Sequence, residues 1–188
     1  MMRNLLFLVV MLVTIPALAQ MSKEEQLFWE QNLLGWDGIA ARCHGPPFPH
    51  VDLICEAVVQ EVDFLTATAK IPFVYTGRSN QFTHRRKAHK AGIKNAIDLD
   101  IRAHASRGDF IGIYGQLSAG SFYIDAVETG AKKNKPEHRP KSGEFVIWDR
   151  RAISQGPVDE VSNDIADTLK GFAKEFITLY IKYRKPIE

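Results

Sequence analysis

The stretch AIDLDIRAHA, residues 96–105, decides how this chain is read. Ile97, Leu99, Ile101 and Ala103 alternate with Asp98, Asp100, Arg102 and His104. A period of two places successive side chains on opposite faces of a strand, so the pattern predicts a strand with one face in a core and the other in water. Downstream, SRGD (106–109) reads as a turn and FIGIYGQL (110–117) as a second strand, loosened by Gly112 and Gly115. SAGS (118–121) interrupts the pattern before FYIDAVE (122–128), a third strand, and EFVIWDRRAIS (144–154) is a further one. Short turns between strands favour antiparallel pairing, because a parallel return needs a long crossover.

Helical spacing dominates on both sides of this block. Val158, Val161, Ile165, Leu169, Phe172, Phe176 and Tyr183 trace a long apolar stripe after Pro157. Asp159, Glu160 and Asp164 lie near its start and Lys182, Arg184 and Lys185 near its end, as the helix dipole favours. Upstream, Ser22 and Glu25 form a capping box. Trp29, Leu33, Trp36 and Ala40 then predict a helix reaching almost to Cys43, bent at Gly35 and Gly38. A second helix is predicted from about Asp52 to Thr68 on Ile54, Val58, Val62 and Leu65, and IPFVYT (71–76) as a short strand. The expected fold is α+β: an antiparallel sheet of about four strands covered by a long C-terminal helix, with an N-terminal disulfide-linked helix pair.

Both cysteines lie in CHGPPFPHVDLIC, residues 43–55. Pro46, Pro47 and Pro49 forbid a continuous helix here, and a short connector between two helices brings Cys43 and Cys55 together. Zinc held by Cys43, His44, His50 and Cys55 has suitable ligand types. The spacing is not that of a zinc knuckle, however, and adjacent Cys43 and His44 are poorly placed to reach one tetrahedral centre. Neither C-x-x-C nor C-x-x-C-H is present. A disulfide is expected, with no metal and no cofactor.

The N-terminus places Arg3 before an apolar run from Leu5 to Ile15 that ends in Ala17–Leu18–Ala19, the pattern of a secretory signal peptide. The run falls short of the ~20 residues of a membrane-spanning helix. Residues 1–19 are therefore expected to be a signal peptide and 20–188 a single α+β domain, periplasmic or secreted, where disulfides persist. Of 188 residues 45% are hydrophobic, enough for a substantial core. The formal net charge of +2 selects no partner, so only the distribution of charge can.

That distribution is uneven. Arg78, Arg85, Arg86, Lys87, Lys90 and Lys94, with His84 and His89, fall in a run without one acid, read as a loop or short helix bordering the sheet. Lys132, Lys133, Lys135, Arg139 and Lys141 make a second basic loop. Clustered cations attract polyanions. Phe82 is the only aromatic in the first run, too few for a single-strand stacking platform, so no nucleic acid is expected. The expected role is that of a non-catalytic exported protein. It binds another envelope protein, or an anionic lipid head group or cell-wall polymer, through Arg85, Arg86, Lys87, Lys90, Lys132 and Lys133.

The competing class is a small secreted hydrolase using Asp98, Asp100 and His104, which share with Arg102 one strand face on which each residue lies about 6.6–7 Å from the next. Alternating charge is also what any wet strand face displays, with Asp100–Arg102 an ordinary ion pair. A cleft beside His104 lined by other segments would favour the enzyme, and a flat face the binder. No G-x-S-x-G elbow, H-E-x-x-H, phosphate loop or dinucleotide fingerprint occurs.

Overall fold

The structure, a computed structural model, describes residues 21–106, 110–124 and 142–184. The expected leader and the loop carrying Lys132 and Lys133 lie outside the described residues. In chain order the elements are α1 (Lys23–Leu33), β1 (Gly38–His44), α2 (Pro49–Thr68), β2 (Phe73–Tyr75), α3 (Gln81–Lys90), β3 (Ala96–Ala105), β4 (Phe110–Ile124), β5 (Ser142–Pro157) and α4 (Val158–Tyr183). The five strands form one sheet in the order β2-β1-β3-β4-β5.

The fold is α+β, with the C-terminal helix on the sheet, but the sheet is mixed. β1 pairs in parallel with both β2 and β3, while β3–β4 and β4–β5 are antiparallel. The expectation of a purely antiparallel sheet of about four strands is corrected by GIAARCH, residues 38–44. Gly38 to Cys43, where the spacing predicts the end of the first helix, instead belong with His44 to β1, next to the sheet edge. Helix α1 keeps its capping box: Ser22 Oγ accepts from the Glu25 amide and Glu25 from the Ser22 amide. It stops at Leu33 because Gly35 adopts φ +83°, a left-handed conformation that ends a helix. From Gly38 onward the sequence runs strand, helix, strand, helix, strand, the order that builds parallel pairs through helical crossovers. β1 is buried over nearly its whole length, as expected of a strand flanked and covered on both faces.

The covers are different on the two faces. Ile39, Ala41 and Cys43 of β1 and Ile97, Leu99, Ile101 and Ala103 of β3 join the apolar core with α2 and α4. Val51, Ile54, Val58 and Val62 of α2 are buried there, as are Val161, Ile165, Leu169, Phe176, Tyr180 and Tyr183 of α4. Gly115 of β4 lets α4 approach closely, since a Cβ at this position would lie 2.8 Å from Ile165 Cγ2. SAGS does not interrupt the sheet: β4 runs through it, and the irregularity appears as a register shift between Ala119 and Gly120. Helix α3 occupies the opposite face, seated by His84 and Ala88.

A Cys43–Cys55 disulfide is present. It joins the end of strand β1 to helix α2, not one helix to another, so the expected helix pair is corrected together with β1. The bond ties the sheet to the helix covering it.

Tyr180 lies fully buried in α4 and donates from its hydroxyl to the Trp36 carbonyl at 3.0 Å. Burial pushes its phenol up to about 12, with Arg184 opposing and Asp37 adding to the rise. The folded state thus favours the protonated phenol. Its contribution is complete below the ordinary value of 10.0 and is lost as pH climbs from there through about 12. An alkaline titration followed by phenolate absorbance is expected to show one tyrosine ionising near the top of that window. The Y180F variant should lack this step, and an unchanged curve above pH 10 would contradict the assignment.

Candidate functional site

Parallel pairing of β1 with β3 sets Ala40 beside Asp98, Arg42 beside Asp100 and His44 beside Arg102. Antiparallel β4 adds Ser118 opposite Asp100 and Gln116 opposite Arg102. The polar face predicted for residues 96–105 therefore belongs to three strands, and at the α3 end it is not wet. Asp98 and Asp100 are buried, at 5% and 1% exposure; the face opens only towards Arg102 and His104.

Each buried carboxylate has its own basic partner. Arg42 donates from Nε to Asp100 Oδ1 and from Nη2 to Oδ2 at 2.8 Å, the bidentate fork that suits a guanidinium to a carboxylate. Arg102 Nη2 lies 3.4 Å from Asp100 Oδ2, the ion pair expected from the sequence, and His44 Nε2 stands 3.7 Å from Oδ1. Asp98 Oδ1 lies 3.0 Å from Nε2 of His84, which is fully buried beneath α3. The other nitrogen of that ring, Nδ1, is 2.5 Å from Thr76 Oγ1. Asp98 Oδ2 has no hydrogen-bond partner among the described residues.

His104 does not join these groups. It is exposed on the open part of β3, its ring 6.5 Å from that of Tyr114. Asp98, Asp100 and His104 therefore stand in three different environments on one strand. Asp149 pairs with Arg151 at 2.8 Å and accepts from Gln116 at 2.6 Å, whereas Arg150 turns to Glu175.

The basic run folds as α3, and its cations divide by role. Arg85 Nη2 donates to Ser121 Oγ at 3.2 Å and Lys87 Nζ to the Thr76 carbonyl at 2.6 Å, so these two fasten the helix to the body. Arg86, His89 and Lys90 are exposed and make no ion pair among the described residues. Phe82, one turn before Arg86, is 68% exposed. Asn80 caps the helix by accepting from the Thr83 amide, and Lys87, His89 and Lys90 in the last turn suit the negative end of its dipole.

Sequence reasoning did not assign Arg42 or Thr76 to a site, and read His84 only as a member of the basic run. Two signals were available: Arg42 is the one charge in the run GIAARC, and His84 with Ala88 is the four-residue spacing that marks the inward side of α3. The chain matches no known family model, no curated protein and no solved structure.

Proposed function

We propose that this is an exported protein, periplasmic or secreted, that docks the outward side of α3 on an anionic component of the cell envelope. The observation that carries this reading is the sidedness of α3: His84 and Ala88 hold it to the sheet while Phe82, Arg86, His89 and Lys90 face solvent, with no acid anywhere in the helix. A cationic face with an aromatic at one end suits a lipid surface, where head groups attract the charges and the ring enters the interface. The disulfide fits an oxidising compartment. No described helix is long and apolar enough to cross a membrane, so contact with the surface falls to faces such as this one.

Each basic residue near an anionic surface contributes about 1 kcal/mol. The double charge reversal R86E/K90E is accordingly expected to weaken binding to phosphatidylglycerol vesicles at low salt by about tenfold or more. Added salt should weaken the wild type in the same direction. Co-sedimentation with anionic and zwitterionic vesicles measures both effects. Equal binding of wild type and variant would remove the proposal.

A further inference from the structure

A cavity of about 280 Å³ opens at the carboxyl ends of the parallel strands β1 and β2, lined by Cys43, His44, Gly45, Arg78, Ser79 and Asn80. The topology explains its place. β1 runs into α2, which packs on the core face of the sheet, and β2 runs into α3 on the opposite face. Where adjacent parallel strands send their connections to opposite faces, the two loops part and leave a crevice, the usual position of a ligand in such sheets. The loop after β1 makes one wall and the loop after β2 the other. Both are fixed. Cys43 is bonded to Cys55 of α2 and its amide donates to the Gly77 carbonyl at 3.3 Å, while Arg78 reaches across to donate to the Gly45 carbonyl.

All four polar side chains of these walls can donate a hydrogen bond, and among the described residues no carboxylate lines the cavity. Arg78 uses one N–H on Gly45 and one on Asp52, which leaves the rest of its guanidinium donors unspent. Asn80 accepts from the Thr83 amide at 3.0 Å through Oδ1, so its NH2 remains to donate. Ser79 Oγ lies 3.1 Å from Thr76 Oγ1, a contact in which either hydroxyl can be the donor. His44 keeps 34% of its side chain in solvent. The nearby acids are accounted for elsewhere: Asp100, 3.7 Å behind His44 Nε2, is forked by Arg42, and Asp52 stands outside the walls with half of its side chain in water. Asn80 is also the N-cap of α3, so the positive end of that helix dipole adds to the same wall.

We infer that this crevice binds a phosphoryl dianion, carried as the monoester of a small polar alcohol. Walls of donors without an acid suit a ligand that only accepts. A phosphate monoester brings three strong acceptor oxygens and close to two negative charges at neutral pH, and a guanidinium is among its best partners. A carboxylate brings two oxygens and one charge, and leaves wall donors unanswered. One water takes about 30 Å³ of the liquid, so the cavity exceeds a single phosphoryl group and leaves room for a short remainder. The polar lining favours a hydroxylated remainder over an alkyl one. The docking reading uses the outward side of α3 and this site the strand-end crevice, so either stands without the other.

The test is isothermal titration of the folded, disulfide-bonded protein with glycerol phosphate, inorganic phosphate and succinate, in about 0.15 M salt to screen exposed charges. Glycerol phosphate is expected to bind, and succinate to bind at least about tenfold more weakly. Tighter binding of glycerol phosphate than of inorganic phosphate identifies the ester as the source of the phosphoryl group, and equal binding identifies free phosphate; both support the site. R78Q should weaken glycerol phosphate about tenfold or more, and S79A, which leaves the Arg78 strap in place, about fivefold. D52N removes the competing carboxylate while Oδ1 still holds Arg78, and should tighten binding by about threefold, a gain that a merely structural role for these residues would not produce. R86E/K90E should bind glycerol phosphate within about twofold of wild type, since its charges lie outside the crevice. No binding by wild-type protein, succinate binding as tight as glycerol phosphate, wild-type affinity in folded R78Q and S79A, or a loss confined to R86E/K90E would each overturn the inference.

Discussion

The D100L variant is expected to lose about 3–5 kcal/mol of stability, the cost of removing one partner from a buried ion pair. Arg42 and Asp100 are 5% and 1% exposed, and two guanidinium nitrogens bond two carboxylate oxygens. Deleting the carboxylate leaves the Arg42 guanidinium inside the sheet without its bidentate acceptor, where water cannot replace what is lost. Arg102 and His44 keep about a third of their side-chain surface in solvent and can rehydrate, so the damage concentrates on Arg42. The double variant R42M/D100L removes both desolvated charges and is expected to recover to within about 1 kcal/mol of wild type, since apolar replacements of buried pairs are often neutral or better. Urea denaturation of the three proteins measures the cycle. A D100L loss below about 1 kcal/mol would mean that the pair is solvated in solution.

Reduction of the Cys43–Cys55 disulfide is expected to cost about 3 kcal/mol, from the entropy returned to an unfolded chain when a loop of this size is opened. The cysteines are 12 residues apart, with Cα atoms 6.1 Å from each other, and both side chains lie in the core. Comparing oxidised and reduced wild-type protein isolates the crosslink from packing, because no atom other than hydrogen is added or removed. The variant C43A/C55A should fall below the reduced protein by the further cost of small cavities at both positions. Thermal denaturation with and without reductant makes the comparison. Equal stability of the oxidised and reduced forms would show that the loop is already constrained by the prolines at 46, 47 and 49.

The parts legible in the sequence are those governed by local periodicity. The four-residue spacing of Val161, Ile165 and Leu169 gave α4, and the alternation of residues 96–105 gave β3, because each pattern reports which face of its own element is apolar. The cysteine pair was readable as well, since proline chemistry and spacing left few alternatives. β1 was not. Its apolar residues fit a helical spacing continued from α1, and seven residues are too few for periodicity to choose between the two. The order of strand and helix around it was the better guide. The candidate site was harder still: Thr76 in a loop, His84 on a helix and Asp98 on a strand have no spacing in common, and alternation made Asp98 and Asp100 look hydrated.

By itself, the sequence determined the amphipathic stripe of α4 and the alternation of β3, which cysteines pair and that α3 carries positive charge without acids. Only the tertiary structure decided that β1 enters beside β3 in parallel and that α3 closes over their polar face. That second cover is why Arg42 meets Asp100 and His84 meets Asp98 away from water. Hydrophobic patterning records whether a residue is removed from solvent by its own element, whereas the burial of a charged side chain depends on which distant segment arrives to shield and pair it.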